Sequence, residues 1–136
     1  MKKKKTQRAT AAAAPDRSDT FAKTFYALKQ ILKRYEGKLS ANADTREKYY
    51  LQTKIPTLNN RPLFFGAVLR GRTHVSFQLA PLYWDPSLAK GMSAKLKQHR
   101  QGQTAFNFTE PEPELFRELA KVASRGFDLY RRKNLL

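Results

Sequence analysis

His74, Ser76 and Gln78 alternate with Val75, Phe77 and Leu79, a period of two that sets three polar side chains on one face of a strand and three apolar ones on the other. Gln52 and Lys54 stand in the same relation to Tyr49, Leu51, Thr53 and Ile55 in an earlier segment. Two amides, a hydroxyl, an imidazole and an ammonium on one sheet surface can hydrogen-bond a polar ligand, so Gln52, Lys54, His74, Ser76 and Gln78 are the candidate binding set. The competing reading is an ordinary solvated face, which antiparallel sheets commonly leave. A second set is cationic. Lys2, Lys3, Lys4 and Lys5 open the chain, and Lys29, Lys33 and Arg34 fall outside the apolar stripe of a predicted helix. Such groups bind nucleic acid non-specifically by neutralising phosphates and releasing counterions.

Other chemistries lack their residues. No G-x-S-x-G elbow occurs, and His74 and His99 are the only histidines available as a base. The six glycines are dispersed, without a Walker or G-x-G-x-x-G pattern. There is no cysteine, which removes thiol nucleophiles, disulfides and thiolate metal sites together. Glu110, Glu112 and Glu114 resemble a metal cluster. With Thr109, Pro111 and Pro113 they also match the acid-rich start of a helix, where capping and the helix dipole favour them. No catalytic residue, metal site or cofactor is assigned, and the chain reads as a non-catalytic binding or accessory domain whose partner is an unidentified small ligand or protein.

The elements that must position these residues follow from periodicity. Ser18 or Asp19 caps a helix carrying Phe21, Phe25, Leu28, Leu32 and Tyr35 on one stripe, with Gly37 suited to end it. Lys38 to Thr45 is polar and reads as a connection. A strand over Tyr49 to Ile55 is stopped by Pro56, and Asn59, Asn60 and Pro62 supply a turn. The apolar block Arg61–Trp84 is predicted to be a hairpin reversing near Gly71. Its first strand is apolar on both sides, with Leu63, Phe65, Ala67 and Leu69 facing one way and Phe64, Gly66 and Val68 the other, which suits a central position. Asp85 with Pro86, and then Ser93, begin short helical pieces, the second reaching Gly102 through Lys95, Lys97, His99 and Arg100, where cations suit a helix C-terminus. A strand around Thr104 to Phe108 precedes a terminal helix with Leu115, Phe116, Leu119, Ala123, Phe127 and Tyr130 on its apolar side and Glu114 and Glu118 outside.

At 136 residues the chain suits one domain. Residues 1–17, with four lysines, an alanine run and no apolar periodicity, read as a disordered basic arm, and 18–136 as a single α+β domain, an antiparallel sheet covered by an N-terminal and a C-terminal helix. The net charge of +16 is spread: residues 1–20 contribute +4, 21–60 +5, 61–100 +6 and 101–136 +1. A surface of this sign attracts polyanions whatever its fold, so association with nucleic acid is the alternative function. No apolar run reaches the roughly 20 residues that span a bilayer. MKKKK is followed by only four alanines where a secretory signal needs a longer apolar stretch. A cytoplasmic location is expected.

Ile55-Pro56 before the hairpin, Leu63 to Leu79 within it, LKQHRQGQTAFNF from Leu96 to Phe108, and the helix from Glu114 together resemble the YdhG-like family of small bacterial domains, over roughly residues 20–130. The resemblance implies an α+β fold with helices covering an antiparallel sheet. Some relatives are described as frataxin-like iron chaperones, which would imply an exposed acidic ridge. The chain departs from that pattern, with 11 acids against 27 bases.

Overall fold

A computed structural model describes residues 17–54 and 60–136. The basic arm through residue 16 and Ile55, Pro56 and Asn59 lie outside the described residues. The strands are β1 (Leu39–Asp44), β2 (Lys48–Thr53), β3 (Phe64–Arg70), β4 (Val75–Leu79), β5 (Arg100–Gln101) and β6 (Ala105–Phe108). The helices are α1 (Arg17–Lys33), α2 (Pro81–Trp84), α3 (Ala94–Lys97) and α4 (Pro113–Arg132), with a short 3-10 helix at Pro86–Ala89. All neighbouring strands pair antiparallel in the order β1-β2-β3-β4-β6-β5. The fold is therefore α+β with an antiparallel sheet, as the periodicities require. No helix among the described residues is long and apolar enough to cross a membrane.

Both long helices lie on one face of the sheet. Leu32 of α1 comes within 3.1 Å of where a Cβ on Gly66 would stand, and the ring of Phe65 meets Tyr35, Phe127 and Tyr130 edge-on at 5.3–6.1 Å between centroids. Tyr49, Leu51, Val68, Phe77 and Phe106 complete this dry layer. The Tyr49 hydroxyl donates to the Glu36 carboxylate, and burial, reinforced by that carboxylate, holds the phenol above its usual range.

Strict alternation fails in β3. Leu51 pairs with Gly66 and Gln52 with Phe64, so Phe65 is an extra residue, a β-bulge. The bulge turns Phe65 to the helices together with Gly66 and Val68, and leaves Phe64 on the far face, stacked on Tyr50 at 4.6 Å. The expected grouping of Phe65 with Ala67 and Leu69 is corrected accordingly.

Other boundaries also move. Lys38 to Thr45 contains β1, an edge strand whose only buried side chain is Leu39, held by backbone pairing to β2 rather than by β-favouring residues. Ser18 and Asp19 lie within the first turns of α1 rather than capping it, and Asp19 pairs with Lys23 at 3.3 Å. Gly37 takes a positive φ of +110 but does not end the helix: α1 stops at Lys33, and Gly37 lies in the turn that leads into β1. The second helical piece is only α3, because His99 to Gln101 leaves the helix to pair with β6. Asp85 caps the 3-10 helix by accepting from the Ser87 N–H, and Ser93 caps α3 by accepting from Leu96.

Glu118 is not a free outer residue of α4. Its carboxylate accepts from the Ser93 N–H at 2.9 Å and from the Ser93 hydroxyl at 2.8 Å, tying α4 to the start of α3. The backbone bond first, then the hydroxyl, hold this carboxyl below the usual carboxylate range. Its folded-state pKa is depressed, so the stabilisation is present above the unfolded-state carboxylate pKa and is lost as pH falls through the folded value. Glu118→Gln should lower the urea midpoint at pH 7, and the gap from wild type should close on acidification. A gap that stays constant down to pH 3 would refute the tie.

Candidate functional site

The helix-free face of the sheet is built by the residues that alternate with the core. Pairing places Ser40 beside Gln52, Tyr50 beside Ala67, Ala67 beside Gln78, Leu69 beside Ser76 and Ser76 beside Asn107. Gln52, Gln78 and Asn107 are half-buried and Ser76 is 9% exposed, so these polar groups sit in a closely tiled surface. Tyr50 and Phe64 form its aromatic centre, and the Lys48 ammonium lies 5.4 Å from the Tyr50 ring centroid. Burial raises the Tyr50 phenol above its usual range, so it stays a neutral hydroxyl.

The five residues read as a ligand set do not all converge. Gln52, Ser76 and Gln78 share the face, with Gln52 on β2 and the other two on β4, about 10 Å away across β3. Lys54 is exposed just beyond the end of β2. His74 is half-buried in the β3–β4 turn at the opposite end, its Nδ1 3.0 Å from the Thr73 hydroxyl. A strand rise of about 3.3 Å per residue puts Lys54 and His74 more than about 20 Å apart. The usable surface is Gln52, Ser76 and Gln78, joined by Tyr50 and by Asn107. The alternation Ala105-Phe106-Asn107-Phe108 was the available signal for Asn107.

The cationic set divides in another way. Lys2 to Lys5 lie outside the described residues. Lys29 pairs with Asp44 at 2.7 Å and lies 5.1 Å from the Tyr49 ring centroid, which fixes α1 to the β1–β2 turn. Lys33 is 3.7 Å from Glu36, and Arg34 stands over Tyr35 at 5.7 Å. Cations that form no ion pair among the described residues instead gather, beside the exposed Glu47, where two turns meet at one end of the sheet. The Arg70 N–H donates to the Glu47 carbonyl at 2.8 Å, joining the β3–β4 turn to the β1–β2 turn. Arg46, Lys48, Arg70 and Arg72 all belong to this end, and Arg70 Nη2 donates to the Ser18 carbonyl at 3.0 Å, so α1 begins there too.

The acidic run does not form a metal cluster: among the described residues no three His, Cys, Asp or Glu side chains gather at ligand range. Glu112 precedes α4 without a side-chain cap and instead approaches His99 Nε2 at 3.1 Å, while the His99 ring stacks on Phe108. This contact fastens the start of α4 to the turn before β5.

The fold and these surfaces define an α+β domain in which, among the described residues, helices cover one face of the sheet and none covers the other. Comparison with protein-family models, with curated proteins and with solved structures gave no match.

Proposed function

We propose that the protein is a small non-catalytic binding domain, of the YdhG-like kind its sequence resembles, whose ligand meets the helix-free sheet face at Gln52, Ser76 and Gln78. The observation that carries this reading is the placement of both long helices on the opposite face, which leaves amide and hydroxyl groups around the Tyr50–Phe64 pair in a preorganised surface. Preorganised polar groups give up little conformational freedom on binding. The test is an amide-resolved NMR titration with metabolites, nucleotides and metal ions. Shift changes should map to β2 and β4, and the triple substitution Gln52→Ala, Ser76→Ala, Gln78→Ala should weaken whichever ligand binds by at least about tenfold. Perturbations confined to the helices would remove the sheet face from consideration.

A second reading, association with polyanions, is favoured by a separate observation. Arg46, Lys48, Arg70 and Arg72 come together at the end of the sheet to which the lysine-rich arm is joined through α1. Such a surface acts through phosphate charge, without needing base recognition.

A further inference from the structure

Between α1 and the β1–β2 turn lies an open cleft of about 450 Å³, lined among others by Tyr26, Lys29, Asp44, Thr45, Arg46 and Arg70. Its chemistry is distinct from the sheet face. Tyr26 is 64% exposed, the most exposed large hydrophobic side chain among the described residues. It falls off the Phe21, Phe25, Leu28, Leu32 stripe and contributes nothing to the core. Asp44, the acid lining the cleft, is already held by Lys29 at 2.7 Å. Among the described residues neither Arg46 nor Arg70 forms an ion pair with a carboxylate.

Hydrogen bonds hold the turn that carries Arg46 and the Arg70 guanidinium at this cleft. The Thr45 hydroxyl accepts from the Glu47 N–H at 3.2 Å and the Lys48 N–H at 3.0 Å, fixing the turn that carries Arg46. Arg70 is braced by the Ser18 carbonyl and by the hydroxyl of the same residue. An exposed aromatic face beside two guanidinium groups that form no ion pair among the described residues, that of Arg70 held by Ser18 and that of Arg46 exposed on its turn, is a combination that can hold one nucleotide of an unpaired strand, the base on the ring and the phosphates on the cations. A duplex keeps its bases stacked on one another and offers none to Tyr26.

We propose that this cleft binds single-stranded nucleic acid, with Tyr26 stacking a base and Arg46 and Arg70 contacting the flanking phosphates. The proposal rests on the polyanion reading and is independent of the sheet face. Neighbouring phosphates would continue toward Lys48 and Arg72 at the same end of the sheet.

The test is fluorescence anisotropy of the full chain with labelled single-stranded DNA and RNA 12-mers and with a duplex, across a salt series. Tyr26→Ala should weaken single-strand binding by about 5- to 100-fold with an unchanged salt slope, since stacking releases no counterion. Tyr26→Trp should restore affinity. Arg46→Ala should weaken binding and reduce the slope by about 0.7, whereas Lys97→Ala, an exposed charge on α3, should leave the affinity of the cleft in place. Circular dichroism confirms that each variant is folded. Single-strand binding that ignores Tyr26 and Arg46, or duplex binding as tight as single-strand binding, overturns the cleft while leaving the polyanion reading standing. No binding to any of the three probes at low salt overturns both.

Discussion

Replacing Phe65 with alanine should lower the unfolding free energy by about 3–5 kcal/mol, the range for emptying a buried aromatic site. Phe65 is fully buried, and its ring meets three others, those of Tyr35, Phe127 and Tyr130. Edge-on pairs contribute about 0.5–1.5 kcal/mol each beyond the area they bury, which places this site toward the top of the range. Domains of this size have about 5–15 kcal/mol of stability in total, so the variant should be close to unfolding at moderate temperature. Its neighbour supplies the control. Phe64 is half-buried on the other face and stacks on a single ring, that of Tyr50, so Phe64→Ala should cost only about 1–2 kcal/mol. Urea unfolding of the two variants at equal slope decides the matter. Equal losses, or a larger loss for Phe64, would mean that the bulge does not turn Phe65 toward the helices.

That contrast also marks where a sequence stops being readable. The two-residue period of Tyr49 to Thr53 and of Val75 to Leu79 predicts the buried face of β2 and β4, because those strands run without interruption on that side. The same rule applied to Leu63–Leu69 places Phe65 on the face opposite Val68, because a bulge is a property of the strand pair and has no marker in one strand alone. β1 escaped for a related reason. Ser-Ala-Asn-Ala-Asp has no strand preference, and its pairing is imposed by β2. Among the candidate residues, Gln52, Ser76 and Gln78 were legible as a face, while the separation of His74 from Lys54 depends on sheet order. The cleft was invisible from spacing, since Tyr26, Arg46 and Arg70 come from three elements. One clue was present, an aromatic at Tyr26 lying off an otherwise regular apolar stripe.

Deleting residues 1–16 should weaken binding to single-stranded nucleic acid without lowering the urea midpoint. The described fold begins at Arg17, and its core is drawn from Phe21 onward. The deleted segment carries Lys2 to Lys5 and Arg8 against Asp16, and the remaining residues still hold a net +12. Each cation that neutralises a phosphate of a single strand adds about 0.7 to the salt slope, which at about 0.1 M salt is roughly fivefold in affinity. Engagement of three of the five cations therefore predicts a loss of about a hundredfold and a slope shallower by about 2. The size of that loss separates two arrangements of charge. Where the arm supplies the contacts, affinity and slope fall together and Tyr26→Ala has little further effect on the truncated protein. Where the arm only raises the local concentration of strand near α1, the truncated protein keeps its dependence on Tyr26 and Arg46, because those residues belong to the folded domain that truncation leaves in place. An unchanged affinity and slope after truncation would exclude the arm from the interaction and leave the end of the sheet that carries Arg46, Lys48, Arg70 and Arg72 as the surface a strand must use.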